Sequence, residues 1–286
     1  MTKALSQLPA RRPILTSSPA AALPVLRILP PLILLALGVV AWQVIVVTQH
    51  VPDFILPSPS AIARRTLDEH AMLLSNTVPT LEVAVFGFLI SLLGGFLVAL
   101  LVHFSRVMEL ALFPVLIASQ AVPVLALAPV LVILMGFSIW PKLVVVGLVC
   151  FFPIVVNLVD GLRGVDRDLV NLMRTLGANR WQLLWQVELP AALPYLFSGA
   201  KLAATYSVVG ALYAEWANSS EGLALLISQA QSRFDTEILF AAMLVLTLIG
   251  VSVFAIVSVL ERALIPWHTP NRVRQRSRHE SVKLER

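Results

Sequence analysis

Three ionisable residues lie inside or at the edges of otherwise apolar segments, namely Glu82, Lys201 and Glu215. Charged side chains are costly in a lipid bilayer, so those within spans commonly line a path for ions or polar solutes. The alternative for Lys201 and Glu215 is local pairing, or for the lysine an extension toward the lipid head groups. If Glu215 lines the outer part of a translocation path, the polar side chains predicted to share that path are Gln120, Tyr206 and Tyr213.

The sequence lacks the patterns of a nucleotide-hydrolysing, metal-dependent or nucleophilic enzyme. No phosphate-binding Gly-x-x-x-x-Gly-Lys-[Ser/Thr] motif occurs, because none of the lysines follows a glycine. The five histidines lack the i, i+4 spacing of a metal-binding pair, and no Gly-x-Ser-x-Gly motif is present. We therefore predict no catalytic residues, metal site or cofactor, and any energy for uphill transport has to come from another subunit.

Composition identifies the kind of protein that carries these residues. Of 286 residues, 58% are hydrophobic and 13% are charged, and the mean hydropathy is +0.87. A soluble chain of this size could not cover so much apolar surface, which predicts an all-α protein with several membrane spans. The single cysteine, Cys150, excludes an internal disulfide framework and is expected to be a small buried residue. The net charge of +5 fits basic residues beside anionic lipid head groups better than nucleic acid binding.

The apolar segments predict six transmembrane helices between two basic tails. The third segment contains Pro123 and Pro129, which predict a kink or break. A helix along the membrane surface is predicted from about Pro59, which follows the capping Ser58, to Leu73. The domains are a tail at 1–27, a transmembrane domain at 28–262 and a tail at 263–286. The predicted spans are Ile28–Val47, Leu81–His103, Leu110–Phe137, Pro141–Leu158, Leu193–Tyr213 and Ile238–Leu260.

The basic residues predict the orientation of these spans. Both tails, the turn at Arg106 and the polar interval around residues 163–180 fall on one side and hold most of the lysine and arginine. The other side holds only Arg64, Arg65, Lys142 and Arg233. Basic loops are retained in the cytoplasm, so the amino and carboxyl termini are predicted to be cytoplasmic.

The interval 166–190, called the elbow below, predicts two short helices between the fourth and fifth spans. The first helix has an apolar stripe at Leu169, Leu172, Met173 and Leu176, and Gly177 suits its carboxyl end because glycine accepts positive φ. Asn179 and Gln182 have capping-box spacing at the start of the second helix. That helix carries Trp181, Leu184, Trp185 and Glu188, and Pro190 is predicted to end it. Such an amphipathic elbow is typical of a docking surface, and the alternative for Trp181 and Trp185 is a place in the aromatic belt at the membrane interface.

At these residues the sequence resembles the inner-membrane permeases of binding-protein-dependent ABC importers. The signature of that family is Glu-Ala-Ala, three residues, Gly, nine residues, Ile, one residue and Leu-Pro. Gly177, Val187, Leu189 and Pro190 keep its spacing, whereas the positions of Glu-Ala-Ala hold the departures Asn171, Leu172 and Met173. Three further segments are similar to one branch of the family, whose members import nitrate, taurine, alkanesulfonates and thiamine-precursor pyrimidines. They are LPSPS at 56–60, AVPVLALAPVLVILMGF at 121–137 and LPAALPYLFSGAKLA at 189–203.

The resemblance implies the type I ABC importer permease fold, in a homodimer in the cytoplasmic membrane. It implies a separate ABC ATPase below the dimer and a periplasmic or lipid-anchored solute-binding protein above it. The residues implied to contact the ATPase are Asn171, Leu172, Met173, Gly177, Trp181, Leu184, Trp185, Leu189 and Pro190. The segments at 221–242 and 260–268 are most similar to permeases for hydroxymethylpyrimidine, with taurine, alkanesulfonate or nitrate as alternatives.

Two other classes of protein remain as alternatives. An ion-coupled secondary carrier predicts inward-facing intramembrane acids and an inverted internal repeat, and we find neither pattern in the sequence. An intramembrane enzyme or structural subunit is disfavoured because the sequence shows no nucleophile or metal-binding pattern.

Overall fold

The computed structural model describes residues 24–217 and 220–267, with side chains from residue 29 onward. Within those residues every regular element is helical, which confirms the predicted all-α class. The outer parts of both predicted tails, 1–23 and 268–286, lie outside the described residues. The helices are α1 Pro24–Thr48, α2 Pro59–Asp68, α3 His70–Phe104, α4 Arg106–Ser119, α5 Val124–Met135, α6 Ile139–Arg163, α7 Arg167–Thr175, α8 Arg180–Leu183, a π turn Leu184–Glu188, α9 Leu189–Ala217, α10 Leu223–Ser232 and α11 Thr236–Leu264.

The chain divides into two compact units, Met1–Val51 and Pro52–Arg286. The described part of the first unit is α1, an apolar helix whose stretch Leu29–Thr48 is long enough to cross a membrane. The second unit contains all the other helices, and its centre is the packing of α6 against α3 and α9.

Four of the described helices, α1, α3, α6 and α11, are both long and apolar enough to cross a bilayer. The pair α4 and α5 counts as a fifth span if it is one broken span, because the two helices meet at 103°. The break falls just before Pro123, whereas Pro129 lies inside α5 without interrupting it. Helix α9 has 29 residues and spans about 44 Å, but its Gly, Ala, Ser and Thr content makes it less apolar than its neighbours.

Glycines let the central helices approach each other closely. A Cβ on Gly87 in α3 would lie 2.5 Å from Val146 in α6. A Cβ on Gly199 in α9 would lie 2.6 Å from the carbonyl oxygen of Pro153, also in α6. At Gly87 the Val146 side chain packs directly on the backbone of α3, and at Gly199 the backbones of α9 and α6 meet, as in membrane helices with small interface residues.

The helices extend beyond the predicted spans, and the boundary between the surface helix and the second span also differs from the prediction. The surface helix was expected to reach Leu73, but α2 ends at Asp68 and α3 begins at His70. The polar residues Asn76 and Thr80 lie in α3, where their side chains accept hydrogen bonds from the amides of Gly222 and Leu223.

Candidate functional site: the elbow and the exposed face of α9

The first half of the elbow folds as its sequence predicts. Gly177 has φ +83°, and nothing lies within 4 Å of the position that a Cβ would take. The amide of Ala178 donates to the carbonyl of Met173 at 3.0 Å, and the amide of Gly177 donates to the carbonyl of Arg174 at 3.0 Å. These two bonds form a Schellman motif, which confirms Gly177 as the residue that ends α7.

The predicted capping box is also present. The amide of Gln182 donates to Asn179 Oδ1 at 2.8 Å, and the amide of Asn179 donates to Gln182 Oε1 at 2.9 Å. Local sequence therefore sets the ends of both short helices of the elbow. Gly177 ends the first helix, and the reciprocal cap of Asn179 and Gln182 begins the second.

The prediction that Pro190 ends the second helix is wrong. Helix α8 continues through the π turn directly into α9, and the amide of Leu189 donates to the carbonyl of Leu184, five residues earlier. Proline lacks an amide hydrogen, and its ring crowds the carbonyl four residues before it. The wider π turn relieves that crowding and leaves Pro190 in the first turn of α9. The second half of the elbow, from α8 onward, and the long helix are thus one continuous helical segment.

The apolar residues of the elbow divide into an exposed group and a buried group. Leu184 is fully buried in a core with Val102, Leu158 and Ala192, and Leu189 is buried too. Asn171 is exposed, Met173 is half-buried and Pro190 is partly buried. The exposed apolar group lies on α7 and α8 and on the π turn: Leu169, Leu172, Leu176, Trp181 and Trp185.

Two contacts join the elbow to the last turn of α3. His103 Nε2 lies 2.9 Å from Glu188 Oε2, and both side chains are mostly buried. The rings of Phe104 and Trp181 lie 5.5 Å apart between centroids. Sequence reasoning missed the pairing of His103 with Glu188, called the clamp below, because it placed Glu188 on the amphipathic face of the elbow. The available signal was two isolated ionisable residues flanked by apolar residues.

A second polar cluster lies near the end of α6. Glu109 Oε1 accepts from Arg106 at 2.6 Å and from Arg163 at 2.5 Å. The Arg163 guanidinium also lies 5.2 Å above the ring of Phe113. This cluster joins the start of α4 to the end of α6.

The four predicted path residues occupy different environments. Tyr206 is exposed on α9, Tyr213 is half-buried against Ala128, Val145 and Ala214, and Gln120 is exposed where α4 ends. The side chain of Glu215 is 2% exposed and accepts a hydrogen bond from the amide of Ala224 at 3.1 Å.

The remaining ionisable residue of α9 is paired within the bundle. Lys201 Nζ donates to Glu261 Oε2 in α11 at 2.8 Å, and both side chains are largely buried. This is the local pairing that the sequence left open for Lys201.

One face of α9 is uncovered in the described structure, although the helix is otherwise buried by its neighbours. The exposed positions recur every three or four residues and mix aromatic, aliphatic and hydroxyl side chains. They are Tyr195, Ser198, Leu202, Thr205, Tyr206, Val209 and Trp216.

Comparison with known proteins gives relatives of one kind. The chain is 36% identical to the formylaminopyrimidine transport permease protein ThiX of Halalkalibacterium halodurans, over 84% of this chain and 96% of that one. It is 38% identical to the riboflavin transport system permease protein RibX of Chloroflexus aurantiacus, over 82% and 88% of the two chains. It is 32% identical to the putative aliphatic sulfonates transport permease protein SsuC of Bacillus subtilis, over 82% and 86%.

The fold also has a solved counterpart. The MetNI methionine ABC transporter, in an inward-facing conformation, matches with a TM-score of 0.59 at 18% identity, over 68% of this chain and 97% of that chain. The family model for binding-protein-dependent transport system inner membrane components matches residues 87–266, a range that includes the elbow, the clamp and α9. The chain therefore belongs to the binding-protein-dependent transport system inner membrane components, the permease subunits of ABC importers.

Proposed function

We propose that this chain forms the membrane path of an ATP-driven importer and that the elbow is its contact with a separate ATPase subunit. The observation that carries this proposal is the exposed apolar group of the elbow. Within this group Trp181 and Trp185 are 63% and 57% exposed. Aromatic residues of this kind dominate the binding energy of protein interfaces when a partner buries them.

The geometry supports a specific route for motion. Closure of the ATPase pair moves the elbow, and α9 follows because α8, the π turn and α9 form one helical segment. Helix α3 follows through the clamp, since Glu188 lies in the π turn and His103 in the last turn of α3. Both helices pack on α6, so the three move together in a rigid-body change between inward-open and outward-open states.

We also propose that two copies of the chain enclose the path. The exposed face of α9 has aromatic and hydroxyl side chains that suit a polar solute rather than lipid, and it extends along the helix. Two such faces, opposed across a twofold axis, would form a conduit between the subunits. In this arrangement a solute-binding protein delivers the cargo at the end opposite the elbow, and both termini are cytoplasmic.

The proposed cargo is a small polar nitrogen heterocycle of the hydroxymethylpyrimidine type. The named substrates of two relatives, formylaminopyrimidine and riboflavin, are nitrogen heterocycles. Import of an alkanesulfonate, taurine or nitrate is the second candidate, and the sulfonate relative supports it.

Assembly of the complex tests the ATPase contact. The double replacement Trp181→Ala and Trp185→Ala should abolish co-purification of the ATPase while the permease stays monodisperse, because both rings are exposed. Trp140→Ala is the matched control, since Trp140 is 59% exposed at the start of α6. Equal recovery of the ATPase with the unmodified permease, the double variant and the Trp140→Ala variant would refute the proposed contact.

The cargo is tested separately. Hydroxymethylpyrimidine, taurine and nitrate are offered to the cognate binding protein by calorimetry and then to the complete importer in ATP-loaded proteoliposomes. Uptake of the pyrimidine alone is the expected result, and uptake of an anion alone would establish the second candidate.

A further inference from the structure

A charged cleft of about 570 Å³ opens at the end of the bundle opposite the elbow. The polar and aromatic side chains that line it come from α3, from the start of α6 and the turn before it, and from the segment before α10. They are Glu82, Phe137, Ser138, Lys142, Ser220 and Glu221. Its position follows from the helix directions, because α3 runs from this end to the clamp and α9 runs from the π turn back toward it.

The charges of the cleft favour one class of solute. Two carboxylates and one ammonium group give a net formal charge of −1. A carboxylate accepts charge-assisted hydrogen bonds from an amino group. The lysine ammonium and the serine hydroxyls donate to ring nitrogens and hydroxyl groups. An inorganic or sulfonate anion, in contrast, meets two carboxylates for one ammonium group, so the net charge of the cleft disfavours it.

An aromatic side chain adds a second element of recognition. Phe137 is 88% exposed, although it adjoins an apolar helix. Gly136, at φ +78°, turns the chain at the end of α5, and Phe137 is the next residue. An exposed ring beside hydrogen-bonding groups is a stacking surface for a flat heterocycle. The cleft volume also falls within the roughly 300–1,000 Å³ of small-molecule sites.

We infer that this cleft is the acceptor site for the transported solute and that it selects a neutral or cationic aminated nitrogen heterocycle over anions. The inference rests on the proposed import function, which it narrows to one class of cargo. Glu82 and Glu221 bind the amino group, Lys142 binds a ring nitrogen, and Phe137 covers the ring face.

Direct binding tests the site. The permease with its ATPase is reconstituted in nanodiscs without the binding protein, and radiolabelled 4-amino-5-hydroxymethyl-2-methylpyrimidine is the probe in equilibrium dialysis. Glu82→Gln should weaken binding by roughly tenfold, as expected when a charge-assisted hydrogen bond becomes a neutral one. Asp68→Asn is the matched control, because it removes one exposed carboxylate from α2 outside the cleft.

A second pair of variants keeps the test decisive if Glu82→Gln fails to assemble. Phe137→Ala should also weaken binding, whereas Phe137→Trp should retain it, and neither disturbs the core because Phe137 is exposed. Absence of probe binding to the unmodified importer would overturn the inference. Equal binding by Phe137→Ala and Phe137→Trp would overturn it as well.

Transport in ATP-loaded proteoliposomes distinguishes failure of the inferred solute site from failure of the proposed import function. Normal pyrimidine uptake by the Glu82→Gln and Phe137→Ala importers would overturn the assignment of the cleft as the acceptor site and leave the import function intact. ATP-dependent uptake of taurine or nitrate, but not of the pyrimidine, would overturn the class of cargo that the cleft assigns. Absence of ATP-dependent uptake of all three would refute the import function itself.

Discussion

The elbow end of the bundle and the opposite end, called the far end, are held together by different kinds of contact. At the far end, the backbone amides of Gly222, Leu223 and Ala224 donate to the side chains of Asn76, Thr80 and Glu215, respectively. These bonds fix the start of α10 to both α3 and α9. At the elbow end, α7 buries none of its residues, and its apolar side chains face outward.

This difference separates an end that is tied by buried hydrogen bonds from an end with an exposed apolar surface, which we propose to be the docking surface. Buried amides with satisfied acceptors are costly to pull apart, because each lost bond leaves an unpaired polar group. The second half of the elbow is held by its helical continuity with α9, by the burial of Leu184 and Leu189, and by the clamp. A force applied at the elbow should therefore be transmitted to α9 and α3 while the far end stays assembled.

The largest effect is expected from Gly222→Val. Gly222 has φ +112°, and a Cβ there would lie 2.5 Å from the Glu215 carboxylate. Backbone strain and overpacking act together, so we expect a loss of about 3–5 kcal/mol in the free energy of unfolding. Thermal unfolding of the purified permease measures the loss. A melting temperature close to that of the unmodified protein would show that the far end is not rigid.

The next effect tests the clamp with Glu188→Leu. Removing the carboxylate leaves His103 without its partner and should lower the free energy of unfolding by about 1–3 kcal/mol. Transport should fall more than assembly with the ATPase. Glu188→Gln retains a hydrogen-bonding side chain and is the control. Transport and ATPase activity are measured in proteoliposomes. If the leucine and glutamine variants transport equally, α3 does not depend on this contact.

Gly177→Val sharpens the comparison, because it places the same residue at another positive-φ glycine where no atom lies nearby. The strain alone should cost about 1–2 kcal/mol, so the protein should fold. We expect ATP hydrolysis to be uncoupled from transport, because valine distorts the turn between α7 and α8. Gly177→Asn, which tolerates this conformation better, should stay coupled. Full transport with normal ATPase stimulation in the valine variant would refute this role of the turn.

The smallest effect is expected from Arg65→Met at the far end. Arg65 lies 3.2 Å from both Glu69 and Asp235, but its side chain is 35% exposed. Exposed ion pairs contribute little, so the free energy of unfolding should change by less than about 1 kcal/mol. Thermal unfolding at low and high salt measures the change. A loss as large as that of Gly222→Val would mean that ion pairs, rather than buried amides, hold this end.

Local signals made several features predictable from the sequence. The Schellman motif at Gly177 and the capping box at Asn179 depend on residues at most five positions apart, and both formed as expected. The break near Pro123 was predicted for the same reason, since a missing amide hydrogen acts on its own turn.

Features that depend on distant residues were not predictable. No local pattern announces that Asn76 and Thr80 accept hydrogen bonds from amides that lie 146 and 143 positions away in the chain. Pro190 indicated a helix end because the π turn that accommodates it is not encoded by a recognisable pattern. The clamp was missed since no local rule pairs residues 85 positions apart.

The sequence by itself identified a multi-span membrane chain that resembles the permeases of ABC importers, and it predicted an elbow with a glycine cap and a capping box. Hydropathy, helix caps and sequence motifs depend on residues that are close in the sequence, so they can be recognised before the tertiary structure is known. Only the tertiary structure decided that the elbow continues into α9, that Glu188 meets His103, and that Glu82, Phe137 and Lys142 line one cleft. Those relations depend on how α3, α6 and α9 pack, and close packing through distant glycines is a property of the assembled bundle.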